Sequence, residues 1–183
     1  MVNLRSKLRR ELLRYYFTNP GADHYLRELA GLLKVNPANL SRELTELIRQ
    51  GLFVSETRGK QKYFRVNRSH PLYGEFKRII FKTIGVVGEL RNTLAHATGI
   101  QEAYLYGSFA RSQEDALSDI DVLIIGEPDG EKLEGAIRRL ERQLHREINY
   151  TLMTPKEFKA RRARKDAFVE DIWRQKRVIL VQP

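Results

Sequence analysis

The chain contains no cysteine, which removes disulfides, thiol nucleophiles and cysteine-ligated zinc and matches a reducing compartment. No apolar run approaches the about 18 residues needed to cross a bilayer, and the stretch from Met1 to Arg10 is charged, without an apolar signal core. A cytoplasmic protein with no membrane partner is expected. Histidine is scarce as well. His70 and His96 have no histidine or carboxylate at ligand spacing, so exposed or locally bonded rings are expected rather than metal ligands.

Negative charge is in short supply at one end. Residues 1 to 68 carry 14 Lys+Arg against 6 Asp+Glu, hence +8 of the total +10, and residues 69 to 183 carry 19 against 17, hence +2. That asymmetry points to a polyanion at the N-terminal end. A length of 183 residues accommodates two small domains, each with its own core.

In the basic third, Leu4, Leu8, Leu12, Leu13, Tyr16 and Phe17 recur at helical spacing until Asn19-Pro20-Gly21 stops the pattern. Leu26, Leu29, Ala30 and Leu33 form the face of a second helix. Asn36-Pro37 supplies a cap and a first-turn proline for a third, buried through Leu40, Leu44, Leu47 and Ile48 and ending at Gly51. The period then switches to two: Leu52 to Thr57 and Lys62 to Asn67 read as strands around the basic tip Arg58-Gly59-Lys60-Gln61. Three helices followed by a basic hairpin resemble the winged-helix DNA-binding domains of prokaryotic regulators, over residues 1 to 68. The resemblance implies duplex DNA as partner. Asn39, Ser41, Arg42 and Thr45 lie on the third helix or near its start, where Arg42 could read guanine and Asn39 adenine, and Arg58, Lys60 and Lys62 would meet phosphates.

After His70-Pro71 the apolar stripe Leu72, Phe76, Ile79, Thr83, Val86 or Val87, Leu90 and Leu94 predicts one helix from Leu72 to about Ala97, about 40 Å long. Its length makes residues 69 to 98 a link and a candidate homodimer contact, which would pair two DNA-binding domains on a palindromic site.

The chemistry concentrates between Tyr104 and Ile125. An apolar strand ends at Gly107-Ser108, and Ser108 is a good helix N-cap. Amides at a helix start attract anions, and a glycine there admits a phosphate close to the backbone. After Phe109 to Ser118 comes Asp119-Ile120-Asp121-Val122-Leu123-Ile124-Ile125, a strand apolar on both faces. Residues two apart in a strand share a face with Cα atoms about 6.5 to 7 Å apart, so the two carboxylates can lean onto one cation. Without it, their mutual repulsion pushes at least one toward the neutral form.

Gly-Ser, a ten-residue gap and Asp-x-Asp resemble the signature of the polymerase-β-like nucleotidyltransferases, particularly the minimal prokaryotic members. That resemblance implies an α/β (α+β) domain with a mixed sheet over residues 99 to 183, with Gly107, Ser108 and, less directly, Arg111 on the triphosphate. It places magnesium or manganese on Asp119 and Asp121, and makes a nucleoside triphosphate, ATP first among them, the substrate. Such enzymes carry a third carboxylate on a later strand facing the pair. The corresponding stretch here is Glu147-Ile148-Asn149-Tyr150-Thr151, where Asn149 takes the expected place and Glu147, two residues earlier, shares its face.

A helix from about Glu131 to Arg146 precedes that strand, with Arg138, Arg139, Arg142 and Arg146 read as a solvated face. Thr154-Pro155-Lys156-Glu157 reads as a capping box opening another helix. Two classes of function follow. One is a DNA-binding nucleotidyltransferase with an acceptor hydroxyl, on a protein or another molecule. The other is a regulator or antitoxin-like protein whose degenerate transferase domain binds only nucleotide or a small helical partner.

Overall fold

The computed structural model describes residues 4–115 and 117–182. Met1 to Asn3, at the start of the expected N-terminal domain, and Ala116, within the ten-residue gap, lie outside them. The chain divides into two compact units, Met1–Gly85 and Val86–Pro183.

The first unit begins with helix α1 (Lys7–Thr18), which starts where Ser6 accepts a hydrogen bond from Arg9 N. A two-residue strand, β1 (His24–Tyr25), leads directly into α2 (Leu26–Leu33). Helix α3 (Pro37–Arg49) is capped by Asn36, whose Oδ1 accepts from Ala38 N at 2.9 Å, and the missing amide of Pro37 costs nothing at that first position. Strands β2 (Phe53–Arg58) and β3 (Gln61–Val66) pair antiparallel in the expected hairpin, and β1 adds to the far side of β3. Gly59 turns the hairpin at φ 61°, which a side chain would resist. Leu12, Leu13, Tyr16, Leu29, Leu40, Leu44, Leu47 and Phe53 form the core, and the Tyr16 hydroxyl donates to Phe64 O at 2.7 Å inside it.

The single helix expected from Leu72 to Ala97 is two. Helix α4 (Tyr73–Thr83) closes the first unit, burying Ile80 beside Tyr73, Phe76 and Ile84, while α5 (Val86–Ala95) opens the second. Gly85 makes the break. Its amide and that of Ile84 both donate to Ile80 O, at 2.6 and 3.1 Å, and a Cβ on residue 85 would stand 2.8 Å from that same oxygen. The stripe that looked continuous is thereby divided between two cores. Leu72 and Ile79 stay about half exposed, whereas Val87 and Leu90 are fully buried.

In the second unit α5 is followed by β4 (Ile100–Tyr106), the single-turn α6 (Gly107–Arg111), β5 (Ile120–Gly126), α7 (Gly130–Leu144), β6 (Ile148–Met153), α8 (Pro155–Ala163), α9 (Ala167–Arg174) and β7 (Val178–Val181). The sheet order is β6-β5-β4-β7, with β5 and β6 parallel and the other neighbours antiparallel, so the fold is α/β with a mixed sheet. Leu123, Ile125 and Met153 on one face pack with Phe158 of α8 and with Val169 and Ile172 of α9. Helix α5 lies against β4, β7 and α7. Thr154 Oγ1 accepts from Glu157 N at 3.1 Å, as the capping pattern requires. Helix α7 ends two residues earlier than expected: His145 takes a left-handed conformation, φ 53°, and turns Arg146 off the helix. Among the described residues no helix is long and apolar enough to cross a membrane.

Candidate active site

The site forms where β4 ends and β5 begins. Tyr106 and Asp121 are register partners across the antiparallel pair, so the residue after Tyr106 stands beside the second aspartate. That residue is Gly107, at φ 70°, and a Cβ there would lie 2.1 Å from Asp121 Oδ2. Only glycine fits, on backbone and on space alike. Ser108 follows, half-buried, in the first turn of α6, and its carbonyl accepts from Gln113 N at 3.0 Å. The Gly-Ser turn and the Asp-x-Asp strand are thus in contact, although ten residues separate them in sequence.

Burial raises the Asp121 carboxyl above the usual carboxylate range, the Asp119 charge adds to the rise, and Arg111 opposes it. Arg111 is exposed at the end of α6. Its Nε donates to Gln113 Oε1 at 3.0 Å and its Nη1 to the Gln175 side chain. Behind the aspartates, burial raises the Tyr106 phenol, a hydrogen bond with Thr151 lowers it, and Asp121 raises it again.

The parallel neighbour β6 brings the third position. Asn149 is the register partner of Asp121, and its Nδ2 donates to Asp119 Oδ2 at 3.1 Å. The amide therefore faces the pair from the place where the resemblance implies a carboxylate. Glu147 is exposed at the start of the strand, its backbone carbonyl accepting from Ile120 N at 2.9 Å. Among the described residues no three His, Cys, Asp or Glu side chains gather into a metal-holding group. The structure thus brings together Gly107, Ser108, Asp119 and Asp121, with Arg111 close enough to act on Asp121, and adds Asn149 rather than Glu147 as the hydrogen-bonded third member.

In the first unit a groove of about 530 Å³ between α2, α3 and the hairpin brings together Ser41, Thr45, Lys60 and Lys62 with Gln61 of the tip, and adds Arg27, which the sequence pattern did not single out. Arg27 was hidden because the signal read there was the leucine face of α2, and an exposed arginine on its other side is ordinary in any helix. Asn39 and Arg42 are exposed on α3. Arg58 differs from the two lysines: it pairs with Asp23 at 2.7 Å and Glu56 at 2.9 Å, and its guanidinium sits 4.8 Å from the Tyr63 ring centre.

The family described as "Nucleotidyltransferase domain" matches residues 87–180. No curated protein matches the chain. Among solved structures, one described as a toxin-antitoxin with AMP-PNP is similar at 14% identity and a TM-score of 0.40, covering 53% of this chain and 73% of its own. A mutant of the toxin-antitoxin MntA-HpeT is similar at 13% identity and 0.40, covering 54% and 74%. A proposed nucleotidyltransferase from Sulfolobus solfataricus is similar at 16% and 0.29, covering 51% and 73%.

Proposed function

The chain belongs to the nucleotidyltransferase-domain family, and from that premise we propose that its second unit transfers a nucleoside monophosphate from a nucleoside triphosphate, ATP first among them, to an acceptor hydroxyl. The observation that carries this reading is the contact of Asp121 with Gly107, since it joins a glycine-opened turn able to receive phosphate oxygens to a carboxylate pair able to hold a cation. The donor set suits a hard divalent ion. Both groups are carboxylates on one strand face, and Asp121, raised by burial and by the Asp119 charge, is one that a bound cation would hold ionised.

Asp119 and Asp121 would hold magnesium or manganese, which when bound neutralises the pair and polarises the phosphoryl group. The Ser108 hydroxyl and the first amides of α6 would receive the triphosphate, with Arg111 reaching its outer oxygens. The acceptor oxygen attacks the α-phosphorus in line, a P–O bond to that oxygen forms, the α–β bridging P–O bond breaks, and pyrophosphate leaves. The hydroxyl proton passes to Glu147 or to water. Glu147 is the candidate base because Asn149 cannot accept a proton.

The first unit we read as a winged-helix DNA-binding domain, supported by its charge of +8 over residues 1 to 68 and by the groove that holds Ser41, Thr45, Lys60 and Lys62. Homodimerisation through the exposed apolar positions of α4 would set two such domains on one duplex, in the cytoplasm.

A second reading rests on one hydrogen bond. Asn149 satisfies an Asp119 oxygen that a third carboxylate would leave to a cation, which favours a regulator or antitoxin-like protein that binds nucleotide, or a small helical partner, and transfers slowly or not at all. Incubation with triphosphates labelled at the α-phosphate, magnesium and a lysate of the source cells separates the two. Label appearing on one species, and lost in Asp121→Asn, supports transfer; nucleotide binding without label supports the regulator.

A further inference from the structure

The β4–β5 register sets Gly107 beside Asp121, but the described residues between α6 and β5, Ser112 to Asp115 and Leu117 to Asp119, lie outside the helix and strand ladders, so the approach to Asp119 depends on other bonds. Part of the segment holds itself: the Asp115 carboxylate accepts from Leu117 N at 2.9 Å and from the Ser118 hydroxyl at 3.0 Å. Such a turn is internally tied, and an anchor comes from the residues just before β6. Arg146, set free of α7 by the left-handed His145, donates from Nη1 to Ser118 O at 3.0 Å and from Nη2 to Asp115 O at 2.9 Å, and its Cζ lies 5.8 Å from the ring centre of Phe109. Phe109 is the buried residue directly after Ser108 in α6. Three residues beyond Arg146 comes Asn149, bonded to Asp119.

We propose that Arg146 is a positioning residue for the site, a clamp that fixes the Gly107-Ser108 turn, the approach to Asp119 and the start of β6 in one geometry. Its planar fork suits two carbonyls at once, which an ammonium cannot reproduce, and its guanidinium lies within cation–π reach of the Phe109 ring. Arg146 acts through Asp119 and Ser108 and touches no substrate, and its value for nucleotide binding rests on the function proposed above.

The test uses the full chain, with Arg146→Ala and Arg146→Lys. Two quantities are read: amide exchange across residues 113–121 relative to the rest of the second unit, and affinity for magnesium with an ATP analogue whose α–β bridge is methylene. Arg146→Ala should raise exchange selectively in that segment and weaken the analogue about 10-fold, the scale of a displacement of a fraction of an ångström in an oriented site. Arg146→Lys, keeping the charge but not the fork, should fall between. Unchanged exchange and affinity in both variants overturn the clamp, as does a uniform rise in exchange across the unit, which would mark a purely stabilising role. Should Arg146→Ala not fold, Arg146→Lys decides by the same two readouts. Wild-type protein that binds no analogue would sink the nucleotide reading, and the exchange measurement still decides the clamp.

Discussion

Asp121 Oδ2 occupies the place that a side chain on residue 107 would need, 2.1 Å from where the Cβ would lie. Gly107→Ala should therefore fail twice. The left-handed backbone at φ 70° costs an L-residue about 1–2 kcal/mol, and the methyl group drives the carboxylate out of the phosphate turn. The expected result is a modest fall in melting temperature with loss of magnesium-dependent nucleotide binding by at least about 10-fold, measured by calorimetry. Retained binding would mean that the carboxylate and the turn work separately.

Each half of that contact was legible in the sequence because it announces itself locally: a strand ending in Gly-Ser, and two aspartates opening an apolar strand. The caps Asn36 and Thr154 and the hairpin around Gly59 were legible for the same reason, each being decided within a few residues. What escaped was decided at a distance. The stripe from Leu72 to Leu94 keeps its period across Gly85, and a mid-helix glycine costs only about 1 kcal/mol. Nothing local says that Ile80 will sink into one core and Leu90 into another. Arg146 looked like the last of a row of solvated arginines because the row was extended through His145, where the helix has already ended. Asn149 facing the pair was legible only through the family resemblance, because it depends on the register of a parallel pair, which no local pattern encodes.

The hairpin arginine and lysines should separate in a DNA-binding assay. Lys60 and Lys62 line the groove and are exposed, whereas Arg58 is held by Asp23 and Glu56. Replacing both lysines by alanine should flatten the dependence of log affinity on log salt by about two phosphate equivalents, read by fluorescence anisotropy on duplex DNA. Arg58→Ala should move the slope less and act chiefly on the stability of the unit. An unchanged slope in the double-lysine variant removes the hairpin from the interface.

If α4 carries a dimer contact, Ile79 is the residue to change, because it is about half exposed while Leu90, on the same sequence stripe, is buried in the second unit. Ile79→Glu should give a folded monomer in sedimentation experiments where the wild type is a dimer. Leu90→Glu should instead unfold its unit, since a buried charge without a partner costs several kcal/mol, on the order of 3 or more. Wild-type protein already monomeric at micromolar concentration excludes the contact.

Asp121 makes the cation-free protein sensitive to pH. Its carboxyl is raised above the unfolded value by burial and by Asp119, so the native state holds the proton more tightly than the unfolded chain. Stability must then fall as pH rises from the ordinary carboxylate range through the raised value. Asp121→Asn, neutral and of the same shape, should melt higher than wild type at neutral pH without divalent ions, and the gap should close on acidification below the ordinary range. Magnesium should raise the wild-type melting temperature and leave the variant unmoved. A variant that melts lower at neutral pH shows that the carboxylate stabilises the fold and that its burial is not a strain waiting for a cation.

Asn149→Asp separates transfer from mere binding, because the side chain already points at the pair: its Nδ2 lies 3.1 Å from Asp119 Oδ2. An aspartate in the same rotamer would turn a donor into an acceptor and raise the local negative charge from two carboxylates to three. Without a cation the three repel, so the variant should melt lower than wild type in chelator and recover with magnesium. With triphosphate present, the number of manganese ions bound per chain, counted by electron paramagnetic resonance, should rise from one toward two, since a third carboxylate supplies the shared ligand that a two-metal arrangement needs. If the domain can transfer at all, the added ligand or base should raise the rate on the order of 10² to 10⁴-fold. A wild type that already transfers and is silenced by Glu147→Gln would instead make Glu147 the working carboxylate, displaced by two residues along the strand. The regulator reading would then be left without support. If both proteins bind nucleotide and neither labels an acceptor, Asn149 is not what withholds catalysis, and the site binds nucleotide for another purpose.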